Sequence, residues 1–192
     1  MAAPPNKTIK DLSGTWAMNS QLSDSLDAGL TLQGINFLVR KAIGLAQITV
    51  SVNQYEAPPK APSTAEGTYT AIDIDQSASG LSSTQENRCL DDVGREHSDW
   101  LFGTVMSRSS WTSLDKVDDE FLRKGWDVDQ ADTGKTPLVL TSAENKDYGW
   151  TATQVWGFQT IDGERHYCRN VVFTKGQQRA EARLVYDWVP PE

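Results

Sequence analysis

Two short helical segments separate the first two strands of a chain that is otherwise rich in strand patterns. The first strand alternates apolar and polar residues, with Leu12, Gly14, Trp16 and Met18 on one face. A second alternating strand begins near Ala46. This order of strand, helix pair and strand is rare at the start of an all-β chain, so it narrows the fold classes more than composition does.

The segment 22–45 has the spacing of a helical pair. Three leucines fall four residues apart, at Leu22, Leu26 and Leu30. Ser23 is a candidate N-cap with an acidic residue directly after it. Gly34 separates the second helix, whose apolar residues share one face: Ile35, Leu38, Val39, Ala42 and Ile43. We therefore expect the second helix of this pair to lie on an apolar surface.

Strand patterns follow through the rest of the chain. Strands are predicted over 46–53, 68–75, 81–90, 100–108, 121–126, 138–141, 150–160, 165–174 and 178–189. The proline-rich stretch 56–62 and the charged stretch 91–99 are predicted to be loops. Short turns join the last four strands, and such a meander closes naturally into a barrel. The sequence predicts an all-β fold, a single up-and-down antiparallel β-barrel.

Five motifs in the first third of the chain form a recognisable set: Ser13-Gly14-Thr15-Trp16, Ser23-Asp24, Phe37, Arg40-Lys41 and Ile48-Thr49-Val50. Together they resemble the start of the calycins, the superfamily of the lipocalins, and especially of the intracellular fatty-acid-binding proteins. The resemblance implies a barrel of about ten strands, with a helix-turn-helix lid between the first two strands and a hydrophobic ligand inside.

The chain departs from the fatty-acid-binding proteins in two respects. It is much longer than a minimal member, and the Arg-x-Tyr carboxylate clamp expected near the end of that family is absent. Arg183 and Tyr186 are three residues apart, which places them on opposite faces of a regular strand. More faintly, the chain is similar to small fungal calycin-like proteins of natural-product pathways, some of which are cyclases of the Diels–Alder type.

Length and charge limit the domain count and the partners. A chain of 192 residues fits one domain, 1–192, in which residues 1–10 are expected to form an extended tail. The net charge of -8 argues against nucleic acid or an anionic membrane as a partner. Because there is no long apolar run, we expect no membrane insertion and a cytoplasmic location.

Motifs for metal, cofactor or covalent chemistry are not evident. The sequence has no nucleophile elbow, phosphate loop or nucleotide fingerprint, so we expect no cofactor. His97 lies between Glu96 and Asp99, but one histidine lacks the convergent ligands that a metal needs, which favours a solvated loop and no metal site. Cys89 and Cys168 lack C-x-x-C spacing and are expected to be reduced thiols.

Candidate site residues follow from strand phase, because the more apolar face of each strand should point into the barrel. Three polar residues then fall among inward aromatic residues, and we predict them to be catalytic: Gln154, Arg169 and Tyr186. The predicted substrate-binding residues are Trp16, Phe37, Phe102, Arg108, Trp150, Trp156, Phe158, Tyr167, Phe173, Arg183 and Trp188. Arg183 is included because a one-residue slip exchanges the two faces of the last strand.

Two readings of these residues stay open. A buried arginine needs an anionic or hydrogen-bonding partner, which is either a ligand oxygen or an internal carboxylate such as Glu86. Likewise, an aromatic stripe either lines a cavity or fills a core.

The sequence supports three functional hypotheses. The first is a cofactor-independent cyclase of secondary metabolism, which performs a (hetero-)Diels–Alder-type cycloaddition or cyclisation of a hydrophobic polyketide or terpenoid inside the barrel. The alternative is a non-catalytic intracellular carrier of a hydrophobic small molecule. The third is a filled barrel that acts through protein contacts. The sequence does not indicate an oligomeric state.

Overall fold

Ten antiparallel strands form one sheet that curls into a nearly closed barrel in the computed structural model, which describes residues 1–79, 83–128 and 135–191. The strands are β1 (Gly14–Met18), β2 (Ile48–Ala57), β3 (Tyr69–Ala78), β4 (Thr84–Cys89), β5 (Arg95–Asp99), β6 (Gly103–Thr112), β7 (Leu138–Asn145), β8 (Trp150–Ile161), β9 (Glu164–Lys175) and β10 (Gln178–Val189). Helices α1 (Asp27–Leu32) and α2 (Phe37–Leu45) lie between β1 and β2. The predicted calycin-like barrel with its helix-turn-helix is confirmed.

Each strand pairs with its neighbours in sequence, except that β4 and β5 do not pair with each other. The first strand pairs with β10 as well as with β2, which joins the two ends of the chain. The sheet order ends at β4 on one side and at β5 on the other, so a seam separates these two edges. Side-chain and loop contacts bridge the seam, because Arg88 Nη1 donates to Ser109 Oγ (3.2 Å) and the Asp92 amide donates to the Ser109 carbonyl (2.9 Å).

A segment between β6 and β7 covers the outer face of the C-terminal strands. Its apolar residues form a second core with the outward side chains of β8, β9 and β10: Val117, Leu122 and Trp126 pack with Val155, Val172 and Val185. Residues 121–126 were predicted to be a strand, but they form turns, and their apolar side chains serve this packing instead. Both faces of the last strands are therefore buried in closely packed cores.

The lid begins differently from the prediction. The first helix starts at Asp27, and Ser23 is not its N-cap. Ser23 Oγ instead accepts from the Val185 amide (2.9 Å) and donates to the Val185 carbonyl (3.2 Å). Asp24 adds two more bonds to the backbone of Arg183. These contacts dock the start of the lid on β10, while Asn36 caps α2 by accepting from the Val39 amide.

Three other predicted segments differ from the structure. The stretch 91–99 was predicted to be a loop, yet it contains β5, because its polar residues pair with β6. Residues 1–10 are not a simple extended tail, since they contain turns and Ala3 and Ile9 are buried against the barrel. The predicted strand 81–90 corresponds to β4, and residues 81–82 lie outside the described part of the chain.

Within the described residues, no helix is long and apolar enough to cross a membrane.

Two helical glycines provide a matched test of how closely the lid packs. A Cβ at Gly29 would lie 2.5 Å from the buried Phe173 ring, whereas a Cβ at Gly44 would meet nothing within 4 Å. We expect Gly29→Ala to lower the free energy of unfolding by about 1–3 kcal/mol through overpacking. Gly44→Ala should leave it unchanged or raise it by up to about 1 kcal/mol through helix propensity. Urea unfolding of the two variants measures both values, and equal effects would contradict the packing described here.

Candidate functional site

A cavity of about 800 Å³ lies inside the barrel beneath α1. This volume is typical of sites for small organic ligands. Inward residues along β9 show how the interior is layered. Tyr167 contacts Trp16 at one end, Arg169 and Val171 follow, and Phe173 meets Gly29 of α1 at the other end. The interior therefore has an aromatic floor, a polar middle layer and a mainly apolar upper part under the helix, where Gln33 at the end of α1 is a polar exception.

The aromatic floor consists of Trp16, Phe158, Tyr167 and Trp188. Trp16 lies at the centre of this cluster, with ring centroids 4.9 to 6.2 Å from the other three. Most of these contacts are tilted or edge-on, the geometry that aromatic pairs prefer. Because the rings pack on one another, they fill this end of the barrel and do not line the cavity.

The apolar upper part is built from α1, the turn before β6, and the ends of β8 and β9. Phe102 and Trp150 meet edge to face, with centroids 5.9 Å apart. Phe173 lies under Gly29, and Leu26 and Leu30 line the cavity from the lid. These side chains offer a hydrocarbon ligand a surface without hydrogen-bonding groups, apart from the indole N–H of the tryptophan.

Arg169 is the main polar group of the middle layer. Its side chain is 4% exposed, its Nε donates to the Tyr167 hydroxyl (2.8 Å), and its guanidinium lies 4.1 Å from the centre of the Trp156 ring. No described residue accepts a hydrogen bond from its Nη2 atom, which is also buried. A guanidinium stays charged at neutral pH, so Arg169, which lines the cavity, is a permanently charged donor group.

Two neutral groups complete the polar layer. Trp156 Nε1 donates to Gln154 Oε1 (3.0 Å), and because an indole can only donate, this bond leaves the Gln154 amide NH₂ as the group available to a ligand. Burial raises the pKa of Tyr186, so its hydroxyl remains a neutral donor. The Tyr186 ring lies 5.3 Å from the guanidinium carbon of Arg169. The three groups can therefore hold a ligand oxygen.

Charged residues from β4 and β5 line the cavity at the seam. Arg88 donates from Nη2 and Nε to Glu86 Oε2, at 2.6 and 2.9 Å. Burial disfavours the charge on Glu86, but Arg88 and Arg169 outweigh that effect and hold the pKa of this carboxyl below its usual range. Across the seam, His97 lines the same cavity, with Nε2 3.6 Å from Asp99 Oδ2.

The loop between β2 and β3 is tied down at the edge of the cavity by Arg95. This side chain donates to the carbonyls of Lys60 (2.6 Å) and Ala61 (3.0 Å) and to the Asp91 carboxylate (2.7 Å). These bonds fix the proline-rich loop against β5 and so define one border of the cavity.

The described residues were searched for metal ligands and reactive thiols. They contain no group of three or more His, Cys, Asp or Glu side chains placed to hold a metal ion. Burial raises the pKa of the Cys168 thiol to about 12 and also raises that of Cys89, so neither is a thiolate at neutral pH. The cavity wall supplies hydrogen-bond donors together with an apolar surface that can confine a hydrocarbon chain.

The structure brings six of the fourteen predicted site residues together in the cavity wall: Gln154, Arg169, Tyr186, Phe102, Trp150 and Phe173. Four others form the aromatic floor: Trp16, Phe158, Tyr167 and Trp188. Trp156 is fully buried behind the wall, where it supports Arg169 and Gln154.

The remaining three predicted residues lie away from the cavity. Phe37 is 57% exposed on α2. Arg108 is exposed. The prediction counted the inward and outward alternation from Trp100, but β6 starts only at Gly103 after a turn, so the count did not apply to this strand. Arg183 points outward, since the last strand keeps the phase that places Tyr186 inside.

Several cavity residues were not predicted to be site residues: Glu86, Arg88, Arg95, His97, Leu26 and Leu30. The sequence did contain a signal for Glu86 and Arg88. They are two residues apart in a predicted strand, so their side chains lie on the same face. For His97 there was none, since β5 is short and polar and its strand character comes from pairing with β6.

Comparisons with known proteins give relatives and fold neighbours. The chain is 32% identical over 193 residues to the probable pericyclase scpY of Mollisia scopiformis, with 100% of this chain and 96% of the relative covered. It is 30% identical over 193 residues to the pericyclase pydY of an Acremonium species, with 100% and 98% covered. No protein-family model matches.

Solved structures show the same fold at low identity. The REP1-NXSQ fatty acid transporter has a TM-score of 0.54 at 11% identity, with 95% of this chain and 98% of that chain covered. The fatty-acid-binding protein of Manduca sexta has a TM-score of 0.51 at 14% identity, with 92% and 98% covered. At such identities the likeness shows the barrel fold alone.

The Glu86 pair provides a test of the cavity's electrostatics. We expect Glu86→Gln to lower the free energy of unfolding at pH 7 by about 1 kcal/mol, because two guanidiniums then face no carboxylate. The folded-state pKa of Glu86 is depressed, so the wild-type advantage is present above the unfolded-state pKa of about 4.3 and is lost as the pH falls through the lower folded-state value. Urea unfolding between pH 7 and pH 3 measures this.

The control is Glu144→Gln, at an exposed position on β7. It should show little change at either pH. A Glu86→Gln effect that is the same at both ends of the pH range would contradict the proposed pairing.

Proposed function

This chain belongs to the family of these fungal pericyclases, and we propose that it is itself a cofactor-independent pericyclase of secondary metabolism. In this proposal, a hydrophobic polyketide or terpenoid polyene enters the cavity and is held in a folded shape. It then undergoes a Diels–Alder-type or hetero-Diels–Alder-type cycloaddition, or a related cyclisation. The full-length similarity to two relatives named as pericyclases supports the reaction class.

The observation that carries the proposal is the layering of the cavity. Arg169, Gln154 and Tyr186 place hydrogen-bond donors at mid depth, and Phe173 and Trp150 place apolar surface between them and the lid. A substrate with one oxygen-bearing end and one hydrocarbon chain fits this arrangement in one orientation. Its oxygen binds in the polar layer, and its chain lies in the upper part under α1.

Confinement is the main source of the proposed rate acceleration. A pericyclic step forms bonds between parts of one molecule without a covalent enzyme intermediate, so the protein has to hold the reacting ends together. Such pre-organisation is worth at most about 7–11 kcal/mol in ideal intramolecular cases. The donors of the polar layer add to this where negative charge develops on the bound oxygen in the transition state.

A carrier that only binds a hydrophobic molecule would use the same cavity, so the decisive experiment follows the ligand. The purified protein is incubated with a panel of linear polyketide and terpenoid polyenes, and each mixture is analysed by liquid chromatography and mass spectrometry. A pericyclic reaction gives a product of unchanged mass and changed retention time. We expect such an isomer for at least one compound. Binding of polyenes with unchanged retention throughout would instead assign the carrier function.

Tyr186→Phe tests whether the polar layer acts on the transition state. Removing one donor hydroxyl should lower kcat by about 10- to 100-fold while KM changes by less than about 3-fold. Steady-state kinetics on the polyene that is converted measure both parameters. Tyr148→Phe is the control, because this tyrosine is 60% exposed in the turn before β8. Equal losses in binding and turnover for Tyr186→Phe would indicate a binding role instead.

A further inference from the structure

Among the described cationic side chains that line the cavity, all but one have a carboxylate partner. Four cationic side chains line it, and three have a carboxylate partner, in the pairs Lys60–Asp73 at 2.8 Å, Arg95–Asp91 at 2.7 Å and Arg88–Glu86 at 2.6 Å. The fourth is Arg169, for which no ion pair exists among the described residues. It is also the most deeply buried residue of the four.

The surroundings of Arg169 do not neutralise it. Its hydrogen-bond partner Tyr167 is a neutral phenol, because burial raises the pKa of this tyrosine. Tyr186 is neutral for the same reason. Glu86 exerts some attraction, but its carboxylate is held by Arg88, which lies on the same strand. Two further carboxylates line the cavity from β5, Asp99 beside His97 (3.6 Å) and the exposed Glu96, and neither forms an ion pair with Arg169. The middle layer therefore contains two guanidiniums against one carboxylate.

A buried charge without a counter-charge is costly, and proteins normally pair such groups. Arg169 lines a cavity that also presents the donors of Gln154 and Tyr186, and its buried Nη2 atom has no hydrogen-bond partner among the described residues. Three donors and an excess positive charge match an oxygen that accepts several hydrogen bonds and carries negative charge. A neutral carbonyl would satisfy the donors and leave the charge uncompensated.

We propose that the substrate is an acid, and that its ionised oxygen, from a carboxylate or from the acidic enol of a 1,3-dicarbonyl, pairs with Arg169 in the middle of the cavity. This inference rests on the proposed function and deepens it, since it names the polar end of the polyene. The hydrocarbon chain then extends from the anion towards Phe173 and the lid.

A pair of fluorescent probes with the same ring framework tests the charge requirement without the natural substrate. Anilinonaphthalene sulfonate is anionic, and phenylnaphthylamine is its neutral counterpart. We expect the wild-type protein to bind the anionic probe at least about 10-fold more tightly than the neutral one, because a charge-assisted hydrogen bond contributes that much binding free energy. Equal affinities, or a preference for the neutral probe, would overturn the proposal.

Variants then locate the anion. Arg169→Gln should abolish the preference while binding of the neutral probe persists, which shows that the cavity is intact. Arg169→Lys keeps the charge and should retain part of the preference. Arg123→Gln removes an exposed arginine and should change nothing. An unchanged preference in Arg169→Gln would place the anion elsewhere and refute the assignment.

Matched competitors distinguish the two sources of the anion and need no variant. Oleic acid is compared with methyl oleate, and a long-chain acylated cyclic 1,3-diketone with its enol methyl ether, each displacing the anionic probe. We expect at least one acid to compete far better than its neutral derivative. The acid that competes better indicates whether the anion of the substrate is a carboxylate or an acidic enol. Failure of both acids would overturn the proposal. These binding experiments do not depend on turnover. The proposed function is tested separately, and it would be contradicted if no polyene were converted.

Discussion

The pairing of β1 with both β2 and β10 is the constraint on which the rest of the structure depends. It joins the first strand to the last and turns an open meander into a barrel, so every inward side chain has to fill space or border a cavity. Trp16 sits on this strand and is fully buried at the centre of the aromatic floor. The strand that closes the barrel therefore also fills one end, and the free volume is left under the helices.

Arg169 connects this packing to the chemistry of the site. Its guanidinium lies on the Trp156 ring and is held by the Tyr167 hydroxyl, so it sits between the floor and the cavity. An arginine at this depth costs stability in an empty barrel, and a plain core would contain an apolar residue of similar size. Residues that lower stability in this way are typical of functional sites, where a ligand-binding role outweighs the cost to folding.

Sequence patterns predicted the fold and the inward faces of the last three strands, because β8, β9 and β10 are long and alternate regularly. That is why Gln154, Arg169 and Tyr186 were correctly predicted to point into the barrel, where they line the cavity. Depth could not be predicted in the same way. The two-residue alternation of a strand indicates which side chains point inward, but it does not indicate how deep in the barrel they lie. That depth depends on the stagger between strands, which places Tyr167 in the floor and Phe173 in the cavity wall.

The phase of β6 and the existence of β5 depend on pairing with a neighbour and not on local composition, so Arg108 and His97 were misplaced.

The difference between a carrier and a catalyst on this scaffold lies in how tightly both ends of a ligand are fixed. Contacts at the start of the lid, from Ser23 to the backbone of Val185, and the close approach of Gly29 to Phe173 fix the roof of the cavity. The aromatic floor fixes the opposite end. In the proposed function, a flexible chain anchored by its oxygen at mid depth folds back on itself within this bounded volume, as a pericyclic transition state requires.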